Sequence, residues 1–522
     1  MKYFNKTSER SQNVKIRKMY LFAGKLIFAL MEEDYIKIIF GLKLKQIRTD
    51  KNLSLFGLAK LSGLSKSYLN EIENGKKYPK PDKISLLSEK LDVPYDQMVS
   101  LKLDKNLAPI GDLLKSKILK ELPLDLFGIK ESTLIDIVAN APLKVNAFIS
   151  TIIEIAQHYS FSRESFFLAS VRSFQEANNN YFDDVEQQVL KFVKAYHIDI
   201  NQPVSSGDLE EILIEEYGYQ IKEEELDKHE ALGNLRTVFV PKTKTLLLAN
   251  DIDEAQRTFI YAKEIANNYL KITDRLYTFP WIKFDSFDQV LNNFYASYFA
   301  GALILPKAKL AGQLNEIFEK DTFDVSLFLK AINDFNASPE SFYQRLTNVL
   351  PKEFNIQNLF FLRFTHEANS DIYYLKKELH LSHHHSPHAN ETNEHYCRRW
   401  VSLKVLGDIG KSKKDHEFDI QISNYQSDGL KYLVFSSATK DPFRENNYRS
   451  ISIGLLINKQ LQRKLNFLGD KGIITRDVGV TCERCAIENC EVRQAPSTIL
   501  DETARNKKIE RIVEELNGKF GG

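Results

Sequence analysis

Three cysteines fall close together in one short stretch, Cys482, Cys485 and Cys490, in the spacing C-x2-C-x4-C. Thiolates at such spacing can reach one metal centre, and inert buried cysteines would have no reason to gather this way. The remaining cysteine of the chain, Cys397, is a natural fourth ligand. It lies 85 residues before Cys482, so a shared site would staple a distant stretch to this one. Four thiolates suit structural zinc as well as an iron–sulfur cluster, and the spacing does not choose between them. Arg484 and Arg493 stand where they could offset a cluster's negative charge, or be simply solvated. Seven of the eleven histidines lie between His366 and His395, including His383, His384, His385 and His388. A second metal site is conceivable there, but the neighbours Ser386, Pro387, Asn390 and Thr392 favour a polar loop.

A second kind of chemistry, base reading, is written into residues 53–75. Ala59 is small enough for two helices to cross closely, and Gly63 permits the positive φ of a tight inter-helix turn. Ser54 and Ser65 are each placed to cap a helix. Leu58, Leu64, Leu69 and Ile72 recur at the spacing that buries one face. Ser65, Lys66, Ser67, Asn70 and Glu71 then point outward, as short polar and basic side chains do on a helix that enters the major groove. Ser65, Lys66, Ser67, Tyr68 and Asn70 form the candidate DNA-reading set. Lys43, Lys45, Lys76 and Lys77 are candidate phosphate contacts, with solvated surface lysines as the alternative. About residues 38–100, this stretch resembles the XRE/Cro-like helix-turn-helix family. The resemblance implies a buried ion pair between Arg48 and Glu73. Leu55 departs from it, because many relatives carry a backbone-contacting Gln there.

Residues 257–271 and 295–306 together resemble the ImmA/IrrE family of zinc metallopeptidase-like domains, over about residues 185–310. Working members carry H-E-x-x-H, whose histidines at i and i+4 share one helical face and bind zinc while Glu activates a water. Here the stretch reads Lys263-Glu264-Ile265-Ala266-Asn267. Glu264 survives, but both histidine places are lost, and the resemblance puts Tyr295 at the third ligand place. Lys263 would set positive charge where the metal belongs. The expectation is a catalytically silent scaffold, in which Glu264→Gln has only a modest effect on stability.

Cysteine motif, peptidase-like shell and helix-turn-helix head together resemble the short-chain fatty-acyl transcriptional regulators, over roughly residues 38–500. That resemblance implies an effector such as a short-chain acyl-CoA and a [4Fe–4S] cluster, with structural zinc as the alternative. Arg398 and Arg399 are weak candidates for the effector's phosphates.

The 522 residues exceed what one hydrophobic core supports, so several domains are expected. With 43% hydrophobic and 27% charged residues the chain reads as globular, and its net charge of only +1 requires any nucleic-acid affinity to be local. Residues 34–105 provide it, with fourteen Lys and Arg against nine Asp and Glu. Four cysteines in so long a chain fit a reducing compartment, and no apolar run of about 18 residues suggests a membrane span. A cytoplasmic location follows as an expectation.

Hydrophobic periodicity predicts five short helices over 35–100 and helices near 185–197, 207–217, 254–271, 286–303 and 501–516. Strands are predicted at Thr237–Val240, Thr245–Ala249, Leu359–Phe364, Ile372–Leu375, Trp400–Val405, Leu433–Ser436 and Ser450–Leu456. The Asn- and Asp-rich stretch Asn178–Asp184 reads as a boundary. The expected organisation is multidomain and mainly α: an extension over 1–33, non-native or weakly structured; a five-helix Cro-like head over 34–105; a helical linker over 106–184. There follow a zincin-like middle over 185–355, an α/β sensor over 356–500 and a C-terminal helix over 501–522. The reading is a transcription regulator that binds a double-stranded DNA operator as a dimer or tetramer and responds to a small molecule. Two rivals remain: a metallopeptidase that cleaves a partner repressor, and a phage- or antitoxin-like repressor without an effector.

Overall fold

A computed structural model describes residues 36–100 without 38, and residues 163–520 without 233–234, 280–283, 285, 369, 382–393, 413, 442–443 and 445. The expected extension over 1–33, most of the linker and the histidine run from His383 to His388 lie outside the described residues. The chain divides into two units, residues 1–163 and 164–522.

In the first unit five helices form where the sequence places them: α1 (residues 39–50), α2 (Leu55–Ser62), α3 (Lys66–Glu73), α4 (Pro81–Leu91) and α5 (Tyr95–Val99). Phe40, Leu44, Leu58, Leu69, Ile72, Ile84, Leu87, Leu91 and Met98 meet in one core. Gly41 lets α1 touch the end of α3, since a Cβ there would lie 2.2 Å from the Ile72 carbonyl oxygen.

The second unit opens with α6 (Arg163–Ala177), α7 (Asp183–Ala195) and α8 (Ser206–Glu215). A small mixed sheet follows, in the order β1 (Gln220–Lys222), β3 (Thr245–Leu248), β2 (Thr237–Val240) and β4 (Thr278–Phe279). It is accompanied by α9 (Glu254–Tyr269) and α10 (Phe287–Ile304), which pack on each other. Then come α11 (Lys307–Phe318), α12 (Val325–Asn333) and α13 (Pro339–Glu353).

The largest element is a six-stranded sheet. It is built from β5 (Leu359–Glu367), β6 (Tyr373–His380), β7 (His416–Tyr425), β8 (Lys431–Lys440), β9 (Asn447–Leu456) and β10 (Ile474–Val478), in the order β10-β7-β8-β9-β5-β6. All pairings are antiparallel except β10 with β7. Helix α14 (Val401–Ile409) buries Val401, Leu406 and Ile409 in a core with Phe360, Leu362 and Phe364. On the other side Phe328 of α12 stacks on Phe435, and Tyr343 of α13 shares a hydrogen bond with Ser437. A short α15 (Lys459–Lys464) and the long α16 (Thr498–Phe520) complete the described elements.

Three expectations are corrected. Trp400–Val405 is not a strand: its alternating Val401, Leu403 and Val405 are all buried on α14, so packing overrides their β preference. Residues 178–184 are not a domain boundary. The turn is pinned inside the second unit, where Asn180 donates to Thr347 Oγ1 at 2.7 Å and Asn348 donates to the Asn180 carbonyl at 2.7 Å. Nor does a boundary fall at 355, because Phe323 and Phe328 pack directly on Phe418 and Phe435 of the sheet.

Candidate nucleic-acid interface and ligand sites

The helix pair α2–α3 is set by its caps. Ser54 Oγ accepts the Gly57 N–H at 2.9 Å, and Ser65 Oγ accepts the Tyr68 N–H at 3.1 Å. Between them Gly63 adopts φ 70°, which a side chain disfavours. Leu58, Leu69 and Ile72 are fully buried, and Leu64 is half-buried. Ser65, Lys66, Ser67 and Asn70 are therefore driven outward and are exposed, with Glu71 half-exposed. Arg48 holds the far end: Nε and Nη2 donate to the two carboxylate oxygens of Glu73 at 2.6 and 2.9 Å, and Nη1 donates to the Leu53 carbonyl at 2.7 Å. Tyr68 is half-buried, with Lys77 Nζ 5.0 Å from its ring centroid.

The phosphate candidates separate. Lys76 and Lys77 are exposed, Lys77 also lying 3.6 Å from Glu71, while Lys45 is half-buried. Lys43 is corrected: it is buried, and Nζ donates to the carbonyls of Gln97 and Ser100 at 3.0 and 2.5 Å. A cation so used ties α1 to α5. On the spacing of a helix Lys43 and Lys45 looked alike, and only the fifth helix distinguishes them.

In the second unit Lys263, Glu264 and Asn267 line one small cleft, together with Thr237, Arg275 and Asn293. Lys263 Nζ donates to Asn293 Oδ1 at 2.6 Å. Burial, with Arg275 and Lys377 nearby, pulls the lysine down to about 8 against the opposing charge of Glu264. Glu264 is held by Arg275 Nη2 at 2.5 Å and by the Tyr219 hydroxyl at 2.9 Å. Both carboxylate oxygens are thus engaged, which suits a structural ion pair. Tyr295 is not brought to this group. Lying about 200° around α10 from Asn293, it packs against Phe174, Phe182 and Phe294. The residue of α10 that meets Lys263 is Asn293, which sequence reasoning missed.

The cysteines are partly gathered. Tyr396 and Thr481 form an antiparallel bridge, Cys397 N–H donates to the Val480 carbonyl at 3.1 Å, and Cys482 N–H donates to the His395 carbonyl at 2.8 Å. The bridge brings residues 395–397 beside 480–482. Cys397, Cys482 and Cys485 are buried, and Cys490 is half-exposed. Burial pushes the Cys397 thiol up to about 11, although backbone N–H groups of Arg399 and Gly479 favour its thiolate. Gln494 N–H reaches Cys482 Sγ at 3.4 Å. Gly479 leaves room for Cys485, whose Sγ would lie 2.8 Å from a Cβ there. Amide donors to sulfur and a glycine-lined approach fit a thiolate donor set. Among the described residues, however, no three or more His, Cys, Asp and Glu side chains are arranged to hold a metal ion. Arg484 pairs with Glu394 at 2.6 Å, and Arg493 donates to the carbonyls of Cys482 and Ile487, so both brace the loop.

Arg398 and Arg399 are also committed to structure. Arg398 lies 4.0 Å from the Tyr373 ring centroid and donates to the Asp371 carbonyl at 2.5 Å. Arg399 donates to the carbonyls of Asp477 and Asn489 at 3.4 and 3.2 Å.

A basic group unforeseen in the sequence surrounds Glu340. Arg363 and Lys377 are cross-strand partners on β5 and β6, a like-charge pairing that destabilises a sheet unless something offsets it. Arg363 Nη1 donates to Glu340 Oε1 at 3.0 Å. Although burial opposes ionisation, Arg363, Lys377 and Arg449 hold the Glu340 carboxyl down at about 2. Burial and the charge of Arg449 lower Arg236 to about 10. With Asp441 also acting on Arg236, four cations stand against two carboxylates, an excess of positive charge. These residues are scattered from 236 to 449, so no motif announces them.

Residues 44–98 match the HTH_3 helix-turn-helix family model. The HTH-type transcriptional repressor RghR of Bacillus subtilis (strain 168) is 39% identical over 61 residues, 12% of this chain and 45% of that protein. An uncharacterised HTH-type transcriptional regulator of the same strain, RghRB, is 39% identical over 62 residues, again 12% of this chain and 45% of that protein. The match thus spans less than half the length of either relative. A solved structure described as a Mycobacterium tuberculosis transcriptional regulator is 17% identical, with a TM-score of 0.45 over 63% of this chain and 92% of that one.

Proposed function

We propose that this chain is a sequence-specific DNA-binding transcription regulator, acting in the cytoplasm as a homo-oligomer on a double-stranded operator. The observation that carries this reading is the exposed start of α3, where Lys66, Ser67 and Asn70 project from a helix locked by the Arg48–Glu73 pair. Relatives of the helix-turn-helix region that are named as transcriptional regulators support it. The test is selection of binding sites from a random duplex pool. The wild-type protein should enrich one motif, and a Lys66→Ala/Ser67→Ala/Asn70→Ala variant should lose that preference. Unchanged enrichment by the triple variant would overturn the assignment.

The middle of the second unit serves, in this reading, as a silent scaffold related to zinc peptidases. What supports it is Lys263 at the first ligand place and Glu264 already bound to Arg275. The effector is read as a short-chain acyl-CoA or a related anionic metabolite. With Arg398 and Arg399 committed elsewhere, the cations around Glu340 are the better candidates to meet its charge. Arg363→Ala should abolish any thermal shift given by acyl-CoAs.

The same reading assigns Cys397, Cys482, Cys485 and Cys490 to a [4Fe–4S] cluster, with structural zinc as the alternative. Either group would cross-link the 395–397 segment to the 480–490 loop. Iron and sulfide in anaerobically purified protein support the cluster, and one zinc per chain in colourless protein supports the alternative.

A further inference from the structure

Helix α16 buries none of its residues, yet carries Ile499, Ile509, Ile512, Val513, Leu516 and Phe520 exposed or nearly so. Their spacing is ordered. Written as heptads with Ile499 at position a, the a places are Ile499, Asn506, Val513 and Phe520, and the d places are Glu502, Ile509 and Leu516. From Asn506 onward the seam is apolar apart from Asn506 itself. The pattern resembles a coiled-coil seam, with Ile499 and Val513 at a, Ile509 and Leu516 at d, and one polar Asn506 at an a place that can fix register.

We propose that α16 pairs with α16 of a second copy of this chain, parallel and in register. Charge complementarity selects that partner. In a parallel pair the g place of one helix faces the following e place of the other. Here g is Arg505 and e is Glu510, so two identical Arg505–Glu510 pairs form across the two-fold axis. Lys507, Lys508, Arg511, Glu514 and Glu515 fall on the outer positions, where Arg511 already meets Glu515 at 3.6 Å within one helix, while Glu502 takes a d place near the start and Lys519 a g place near the end. Asn506 faces its own copy and can hydrogen-bond to it.

The experiment uses the full chain. Sedimentation velocity should give a dimer for the wild type and a monomer for Val513→Glu/Leu516→Glu, with unchanged circular dichroism. Arg505→Glu should weaken the dimer by about fivefold or more, as expected for two surface ion pairs, and Arg505→Glu/Glu510→Arg should restore it. Mild oxidation should link Asn506→Cys into a covalent dimer that the wild type does not form. A monomeric wild type, or a dimer indifferent to Val513→Glu/Leu516→Glu, would overturn the proposal. A dimer that needs the seam but fails to cross-link through position 506 would overturn the parallel register.

Discussion

Arg48 and Glu73, twenty-five residues apart, meet through the guanidinium Nε and Nη2 and both carboxylate oxygens, with side chains 11% and 5% exposed. The pair ties α1 to the last turn of the helix that presents Lys66 and Asn70. Removing one partner strands a charge in a largely dry place. Glu73→Gln is therefore expected to destabilise the head by about 3 kcal/mol, read by chemical denaturation of the full chain. Arg48→Met/Glu73→Leu should lose much less, because nothing charged is left behind.

The two lysine environments predict two kinds of DNA-binding defect. Lys76→Ala should weaken binding to all sequences and flatten the salt dependence by about one unit of slope, as loss of one phosphate contact does. Asn70→Ala should cost about 1–3 kcal/mol at one base position and relax preference there. Lys43→Met should leave the salt slope alone and lower the stability of the head, since its ammonium is spent on the carbonyls of Gln97 and Ser100. Fluorescence anisotropy over a salt series, on matched and mismatched duplexes, separates the first two, and chemical denaturation reads the third.

Lys263 makes stability depend on pH in a set direction. Its folded value, about 8, lies below the ordinary 10.5. The unfolded chain therefore binds more protons between these values, and stability rises with pH across that window. The penalty is fully present below about pH 8. Lys263→Met lacks this dependence, so the Tm difference between variant and wild type should shrink as pH is raised from 7 to 10. A constant difference would show that Lys263 titrates normally.

Glu264→Gln separates scaffold from catalyst. Sequence reasoning expects a modest stability effect, but the carboxylate is buried against Arg275 at 2.5 Å. A loss of about 3 kcal/mol is expected instead, measured by urea unfolding. Arg275→Met/Glu264→Leu should recover most of it.

Thiol reactivity should follow burial. In metal-free protein Cys490 should be alkylated first and Cys397 last, because burial holds the Cys397 thiol neutral near neutral pH. Mass spectrometry of timed iodoacetamide labelling reads the order.

Local chemistry made the head legible. Ser54, Gly63 and Ser65 each act within three residues of themselves, so caps and turn could be read before any tertiary contact was known. The hairpin Thr237–Val240 to Thr245–Leu248 was legible for the same reason. What stayed hidden depends on distant partners. Strand β7 alternates Phe418, Ile420 and Ile422, yet its flanking charges masked it. Val401–Val405 has the look of a strand and becomes a helix because the sheet needs a cover. The cationic group at Arg236, Arg363, Lys377 and Arg449 exists only once β5, β6 and β9 are in register.

The turn at Asn178–Tyr181 bears on how the protein can be cut. Its polar residues invite a truncation at residue 184, where the sequence looks like a hinge. Such a cut would strip Phe174 and Phe182 from Tyr295 and Tyr298 and leave Thr347 and Asn348 without the turn they grip. A fragment starting at 185 should expose an aromatic surface and aggregate, whereas one starting before Arg163 keeps that surface covered. A protease added to the native chain should likewise pass over this Asn-rich segment, because a turn anchored through the buried Asn180 cannot enter a protease cleft without local unfolding.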